Sequence, residues 1–223
     1  MHPTLKLPPL VAAIVDLDGT MIDTLGDFVV ALNRMLDDLR LPGIDRAAIE
    51  RMIGKGSEHL VRSVLAHSGG APQLYPAAWD AYQRHYLAIN GQHAEVYPGV
   101  VEGLTLLKSR GLKLACLTNK PTNFALPLLA AKGLDGFFSV VFGGDAFERK
   151  KPDPLPLSKT CEALLSLPAQ TLMIGDSSND AAAARGAGCP VLLVTYGYNH
   201  GEPVRAMDAD GFVDSLAELA RLL

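Results

Sequence analysis

From Leu10 to Val15 the chain is continuously apolar and rich in β-branched residues, and it then turns polar at Asp16-Leu17-Asp18-Gly19-Thr20. A short apolar run closed by a turn reads as a buried strand. The same shape recurs at 112–117 before Thr118-Asn119 and at 138–142 before Gly143-Gly144-Asp145. It appears again at 171–174 before Gly175-Asp176 and at 191–194 before Thr195. Helical spacing fills the segments 100–110, 122–132, 155–165, 180–187 and 214–222. Strands alternating with helices predict βαβ crossovers and a mostly parallel sheet. The near-uniform apolarity of the five strands predicts burial on both faces.

The long stretch between the first and second predicted strands carries no strand pattern, and its apolar positions follow helical spacing. Phe28, Leu32, Met35, Leu36 and Leu39 form one stripe, Leu60, Val61, Val64 and Leu65 a second, and Trp79, Tyr82, Tyr86 and Leu87 a third. Three or four such helices can close a small bundle. The expectation is an inserted helical domain over 21–97, with a core made of 1–20 and 98–223. The chain would leave the core near 21–24 and return at Tyr97-Pro98-Gly99, where proline and glycine break the pattern.

Composition narrows the class. A chain of 223 residues that is 48% hydrophobic can bury a sizeable core without disulfide staples. Cys116, Cys161 and Cys189 are odd in number and widely separated, without zinc-site spacing, which fits a reduced compartment. No apolar run reaches the ~20 residues that span a bilayer, and residues 1–9 do not read as a secretory signal. The cytoplasm is therefore expected, with no membrane partner. Twenty Lys+Arg against 24 Asp+Glu give a net charge of −4, without the basic excess that a nucleic-acid partner requires. No G-x-x-x-x-G-K-[ST] loop occurs, and Gly54-Lys55-Gly56 lacks the third glycine of a dinucleotide fingerprint, so nucleotide cofactors are not indicated.

The strand ends carry the candidate chemistry, because ligands of open α/β sheets sit beyond the carboxyl ends of the strands. Asp16 and Asp18 share one small loop, and Asp176 ends another strand. Together they offer the oxygen-rich, partly filled coordination that suits Mg²⁺. Two neighbouring carboxyls can divide the work of acid and base. Asp16 is the candidate nucleophile, since a carboxylate needs no base to activate it. Asp18 is the candidate acid and base. Thr118, Asn119 and Lys151 are the candidates for holding phosphoryl oxygens, where transition-state charge develops. Each motif alone has an ordinary explanation: Asp18-Gly19 as a turn, Thr118 and Asp176 as ends of capped helices, and 149–151 as a solvated basic loop. Four such coincidences in order at strand ends are harder to sustain.

Taken together, Asp16-Leu17-Asp18-Gly19-Thr20, Leu117-Thr118-Asn119-Lys120, Lys151-Pro152-Asp153-Pro154 and Gly175-Asp176-Ser177-Ser178-Asn179-Asp180 resemble the four motifs of the haloacid dehalogenase superfamily of aspartyl-phosphate phosphatases. The resemblance covers the whole chain. It implies an α/β fold with a Rossmann-like parallel-sheet core and an inserted α-helical cap, and a Mg²⁺-dependent phosphatase acting on a small phosphorylated metabolite. It also implies Asp16, the Asp18 backbone carbonyl and Asp176 as metal ligands, Asp180 supporting them from behind, and Lys151 rather than Lys150 on the phosphate. The cap size, Gly54-Lys55-Gly56, Gly188-Cys189-Pro190 and Thr195-Tyr196-Gly197-Tyr198-Asn199 are similar to members that take 2-phosphoglycolate. Members acting on sugar phosphates such as N-acetylmuramic acid 6-phosphate, and sugar phosphomutases, are the alternatives. Within the cap, Lys55 is the candidate for the substrate carboxylate, with Arg62 in reserve.

Overall fold

The computed structural model describes residues 9–222. Residues 1–8, most of the stretch read for a secretory signal, and residue 223 lie outside the described residues. The chain opens with β1 (Ala12–Val15) and β2 (Ile22–Asp23). Four helices follow, α1 (Leu25–Asp38), α2 (Arg46–Glu50), α3 (Ser57–His67) and α4 (Tyr75–Ile89). After β3 (Glu95–Val96) come α5 (Val100–Ser109), β4 (Lys113–Leu117), α6 (Thr122–Ala131), β5 (Val140–Phe142) and α7 (Leu155–Leu164). The chain continues with β6 (Thr171–Gly175), α8 (Ser178–Ala187), β7 (Val191–Val194), β8 (Gly211–Val213) and α9 (Leu219–Leu222).

Six strands form one sheet in the order β5-β4-β1-β6-β7-β8, and every pairing in it is parallel. This is an α/β Rossmann-like fold. Successive residues of a strand point to opposite faces, and here both faces are dry. Ala13, Val15, Leu114, Cys116, Leu172 and Ile174 join one apolar cluster with α5 and α6, whereas Ala12, Ile14, Ala115, Leu117 and Met173 join another with α7 and α8. Strand order runs outward from β1 in both directions. The loops leaving β1, β4 and β6 therefore diverge around a crevice at the carboxyl end of the sheet.

Helices α1–α4 bury a third cluster, in which Phe28, Leu32, Met35 and Leu36 meet Leu60, Val61, Val64, Tyr82 and Tyr86. Phe124 of α6 inserts into it, 4.8 Å from the Tyr86 ring and edge-on to Tyr82 at 6.0 Å. Truncating a buried phenylalanine costs about 3–5 kcal/mol, so this side chain is one strong tie between the helical layer and the sheet layer.

The structure corrects several expectations. The sheet has a sixth strand, β8, and the stretch read as strand-free holds β2 and β3, which pair antiparallel as a two-residue ribbon. Runs of two or three residues are too short to show a period. Leu87, assigned to the third apolar stripe, is 49% exposed. The buried face of α4 runs through Ala78, Ala81, Tyr82, Tyr86 and Ile89, and Leu87 points away from it. The last predicted helix is confined to a 3₁₀ turn at Leu216–Glu218 and α9, after the chain has spent 211–213 in β8.

Candidate active site

The end of β1 places Asp16, and Gly19 at φ +82° turns the loop so tightly that a Cβ there would collide with the Asp176 carboxylate. One Asp16 oxygen accepts from the Leu17 N–H at 2.8 Å and lies 3.0 Å from Lys151 Nζ. Lys151 is buried, and its ammonium also donates to Asp180 Oδ1 at 2.7 Å and to the Leu117 carbonyl at 2.9 Å. Its three donors thus meet three acceptors. Lys150, the adjacent lysine, points outward to Glu58 at 3.1 Å.

Asp180 opens α8 and is fully buried. Its Oδ2 accepts from the N–H groups of Asp176 and Ser177 and from the Ser177 hydroxyl, so both its oxygens are spent on protein partners. Asp176 accepts from the Thr20 hydroxyl at 3.2 Å and from the Tyr198 N–H at 2.7 Å. Tyr198 ties this carboxylate to the crossing between the layers, since its hydroxyl donates to Asp23 and accepts from the N–H groups of Thr24 and Leu25.

Asp16, Asp176 and Asp180 each bring a carboxylate oxygen within 4.8 Å of the others. Three carboxylates against one buried ammonium leave the cluster short of positive charge. Burial lifts the Asp16 carboxyl to about 7 despite the Lys151 ammonium, with Asp180 adding to the rise. Burial, then the charges of Asp180 and Asp16, push Asp176 well above the ordinary carboxylate range. Lys151 is held above the usual lysine value, its desolvation outweighed by Asp16 and Asp180. A hard divalent cation with oxygen preference fits this donor set.

Asp18 sits across the loop, with Oδ1 accepting from the Thr24 hydroxyl at 2.8 Å and from Lys120 Nζ at 3.0 Å. Lys120 is a buried cation to which the sequence reading gave no role. Its position directly after Thr118-Asn119 at a strand end was the available signal. Thr118 is buried, and its hydroxyl accepts from the Lys120 N–H at 3.1 Å. The Asn119 side chain lines the cavity and is engaged with protein partners. Its amide donates to the carbonyls of Gly54 and Lys151, and its oxygen accepts from the Lys151 N–H, so it braces the loops.

A small cavity lies between the layers, with Asp16, Asp18, Thr118, Asn119 and Lys120 on the sheet side. Phe28, Ile53, Leu60, Ser57 and the backbone of Gly54 and Gly56 face them from the helical side. Lys55 is not among the lining residues. Gly54 and Gly56 both hold positive φ, and between them Lys55 is exposed and lines an open outer hollow with Glu58 and Lys150. Arg62 stacks over the Tyr75 ring at 3.5 Å and also stays outside.

A crevice at the carboxyl ends of parallel strands, lined by carboxylates and covered by a helical layer, defines an α/β enzyme that works on a small enclosed ligand. Residues 13–194 match the haloacid dehalogenase-like hydrolases, and the chain belongs to that family. It is 44% identical over 218 residues to a phosphoglycolate phosphatase of Thiobacillus denitrificans, covering 96% of each chain. It is 45% identical over 218 residues to a plasmid-borne phosphoglycolate phosphatase of Cupriavidus necator, covering 96% of this chain and 94% of that one. A crystal structure described as a predicted phosphoglycolate phosphatase from Haemophilus somnus superposes with a TM-score of 0.92 at 32% identity, over 96% of this chain and 97% of that one. No helix among the described residues is long and apolar enough to cross a membrane.

Proposed function

We propose that this chain is a Mg²⁺-dependent phosphatase that hydrolyses 2-phosphoglycolate to glycolate and phosphate through phosphorylation of Asp16. Residues 21–97 act as the closing cap over a core of 1–20 and 98–223. The observation that carries the reading is the contact of Asp16 with the buried Lys151 ammonium at 3.0 Å, with Asp16 and Asp18 both lining the cavity between the layers. The names of the relatives support the substrate. Three unpaired, buried thiols support a reduced, cytoplasmic setting.

In the first step an Asp16 carboxylate oxygen bonds to phosphorus while the ester P–O bond breaks, and Asp18 gives its proton to the leaving oxygen. In the second, water attacks the same phosphorus, Asp18 takes the water's proton, and the Asp16–phosphorus bond breaks to restore the carboxylate. Thr118 holds a phosphoryl oxygen as charge develops on it, and Lys151 exchanges its contact with the Asp16 oxygen for one with a phosphoryl oxygen as that carboxylate becomes phosphorylated. Asp180 keeps the Lys151 ammonium in place. A Mg²⁺ held by Asp16, Asp176 and the Asp18 carbonyl would supply the positive charge that lets a phosphate monoester approach these carboxylates.

A turnover screen with Mg²⁺ tests the reading. Release of one phosphate per 2-phosphoglycolate, with kcat/KM above that for N-acetylmuramic acid 6-phosphate and for hexose phosphates, is the expected result. A preference for sugar phosphates overturns the substrate, and isomerised sugar phosphate without free phosphate overturns hydrolysis in favour of a mutase.

A further inference from the structure

Lys120 is the one cationic side chain among the described residues that line the cavity, and we infer that it recognises the leaving group, selecting leaving groups with a carboxylate one carbon from the ester oxygen. The inference rests on the phosphatase reading above and names the residue that would give that reading its substrate.

The other lysines nearby are committed elsewhere. Lys151 spends its three donors on Asp16, Asp180 and the Leu117 carbonyl. Lys150 pairs with Glu58 on the outer surface, and Lys55 lines the open hollow. Among the described residues Lys120 Nζ has only the two Asp18 oxygens as hydrogen-bond partners, at 3.0 and 3.3 Å. An ammonium has three donors, so at least one remains.

The setting makes that donor strong and selective. The Phe28 and Tyr86 rings flank the ammonium at 4.5 and 4.6 Å, which keeps water from the charge. On the cap wall Ile53 and Leu60 are apolar and Ser57 is the one polar side chain among the described lining residues. A neutral or bulky polar leaving group gains little from such a wall, whereas an anion gains a cationic donor from which the rings exclude water, strongest while Asp18 carries its proton.

Spacing adds a second reason. Asp18 serves the ester oxygen, and Lys120 lies 3.0 Å from Asp18. Two adjacent donors match two acceptors on neighbouring carbons, which is the arrangement of the ester oxygen and carboxylate in a phosphorylated 2-hydroxy acid. A carboxylate one methylene further out would be carried past the ammonium toward the apolar wall.

The experiment compares kcat/KM for 2-phosphoglycolate, for 2-hydroxyethyl phosphate, which replaces the carboxylate by an alcohol, and for 3-phosphooxypropanoate, which moves it one carbon out. The wild-type protein should prefer 2-phosphoglycolate to both by at least tenfold. In Lys120→Met the ratio of 2-phosphoglycolate to 2-hydroxyethyl phosphate should fall at least tenfold, whatever loss the two substrates share. Lys120→Gln, whose amide can still donate to Asp18, should show the same collapse of the ratio and guards against a folding defect. An unchanged ratio in a folded Lys120 variant overturns the inference and leaves the phosphatase reading standing. Equal wild-type activity on 2-phosphoglycolate and 3-phosphooxypropanoate overturns the spacing argument, and with it the inference, even if neither variant folds. No turnover of any of the three by the wild-type protein overturns the phosphatase reading itself.

Discussion

The Asn119 side-chain amide donates to the carbonyl oxygen of Gly54, 3.0 Å away, and so joins the end of β4 to the loop that leads into α3. The same carbonyl accepts from the Asn179 amide at 3.1 Å, at the start of α8. A glycine is needed at this point because the chain takes φ +109° and a Cβ would press on the His200 ring. Two strand-end loops therefore grip one backbone atom of the helical layer, in the position where that layer covers Asp16.

Asn119→Ala removes this bond together with two more to Lys151, at 2.8 and 3.0 Å. At about 1 kcal/mol for each neutral hydrogen bond, the loss should lower Tm by roughly 5–10 °C. Because Lys151 also loses its brace, kcat/KM should fall at least tenfold. Asn179→Ala removes the Gly54 bond and leaves Lys151 braced, so its Tm loss should be smaller. Calorimetry and steady-state kinetics on the pair check the assignment, which fails if Asn119→Ala changes neither quantity.

Asp16→Asn should abolish phosphate release while leaving circular dichroism unchanged. The amide keeps the shape of the side chain, and Lys151 still has Asp180 and the Leu117 carbonyl as partners. Residual activity above about a hundredth of wild type, a loss smaller than ~3 kcal/mol, would argue against covalent catalysis by this residue.

The two adjacent lysines give a sharper contrast. Lys150 meets Glu58 at the surface, where an ion pair contributes about 0–1 kcal/mol, so Lys150→Ala should keep Tm and kcat/KM near wild type. Lys151→Met strips the partner from buried Asp16 and Asp180 and should cost about 3–5 kcal/mol together with turnover. Denaturant titration and activity measured on the same preparations would show the assignment reversed if Lys150→Ala were the damaging change.

Most of this fold was legible because five strands are near-uniformly apolar, which happens when both faces of a sheet are covered. β8 and the β2–β3 ribbon escaped because pairing partners, rather than pattern, make strands of two or three residues. At the site, the sequence shows which polar residues end strands, and Asp16, Asp18, Thr118 and Asp176 could be named from that, whereas Lys151, in a loop, was chosen over Lys150 from the proline after it and the family resemblance. It does not show where a side chain goes after leaving the backbone. Asn119 turned out to brace loops, and Lys55 turned outward between two glycines at positive φ. Lys120 was passed over because its surroundings come from Phe28 and Tyr86, on helices far away in sequence.

In unfolded chain Asp16 and Asp176 ionise near the ordinary 3.8, whereas burial in the folded protein lifts Asp16 to about 7 and Asp176 well above its usual range. A carboxyl whose folded value is raised favours the folded state below the unfolded value and loses that contribution as pH rises through the folded one. Without divalent ions, stability should therefore decline as pH rises from about 4 to above 7 on account of these two groups. Mg²⁺ competes with the protons for the same oxygens and stabilises only the folded site, by an amount that grows with its affinity. Saturating Mg²⁺ should accordingly raise Tm by several degrees at pH 8 and by almost nothing at pH 5, relative to a chelated sample. Asp176→Asn should erase the increment at pH 8. An increment of equal size at both pH values, or one that survives Asp176→Asn, would place the ion away from Asp16 and Asp176 and remove the metal from this site.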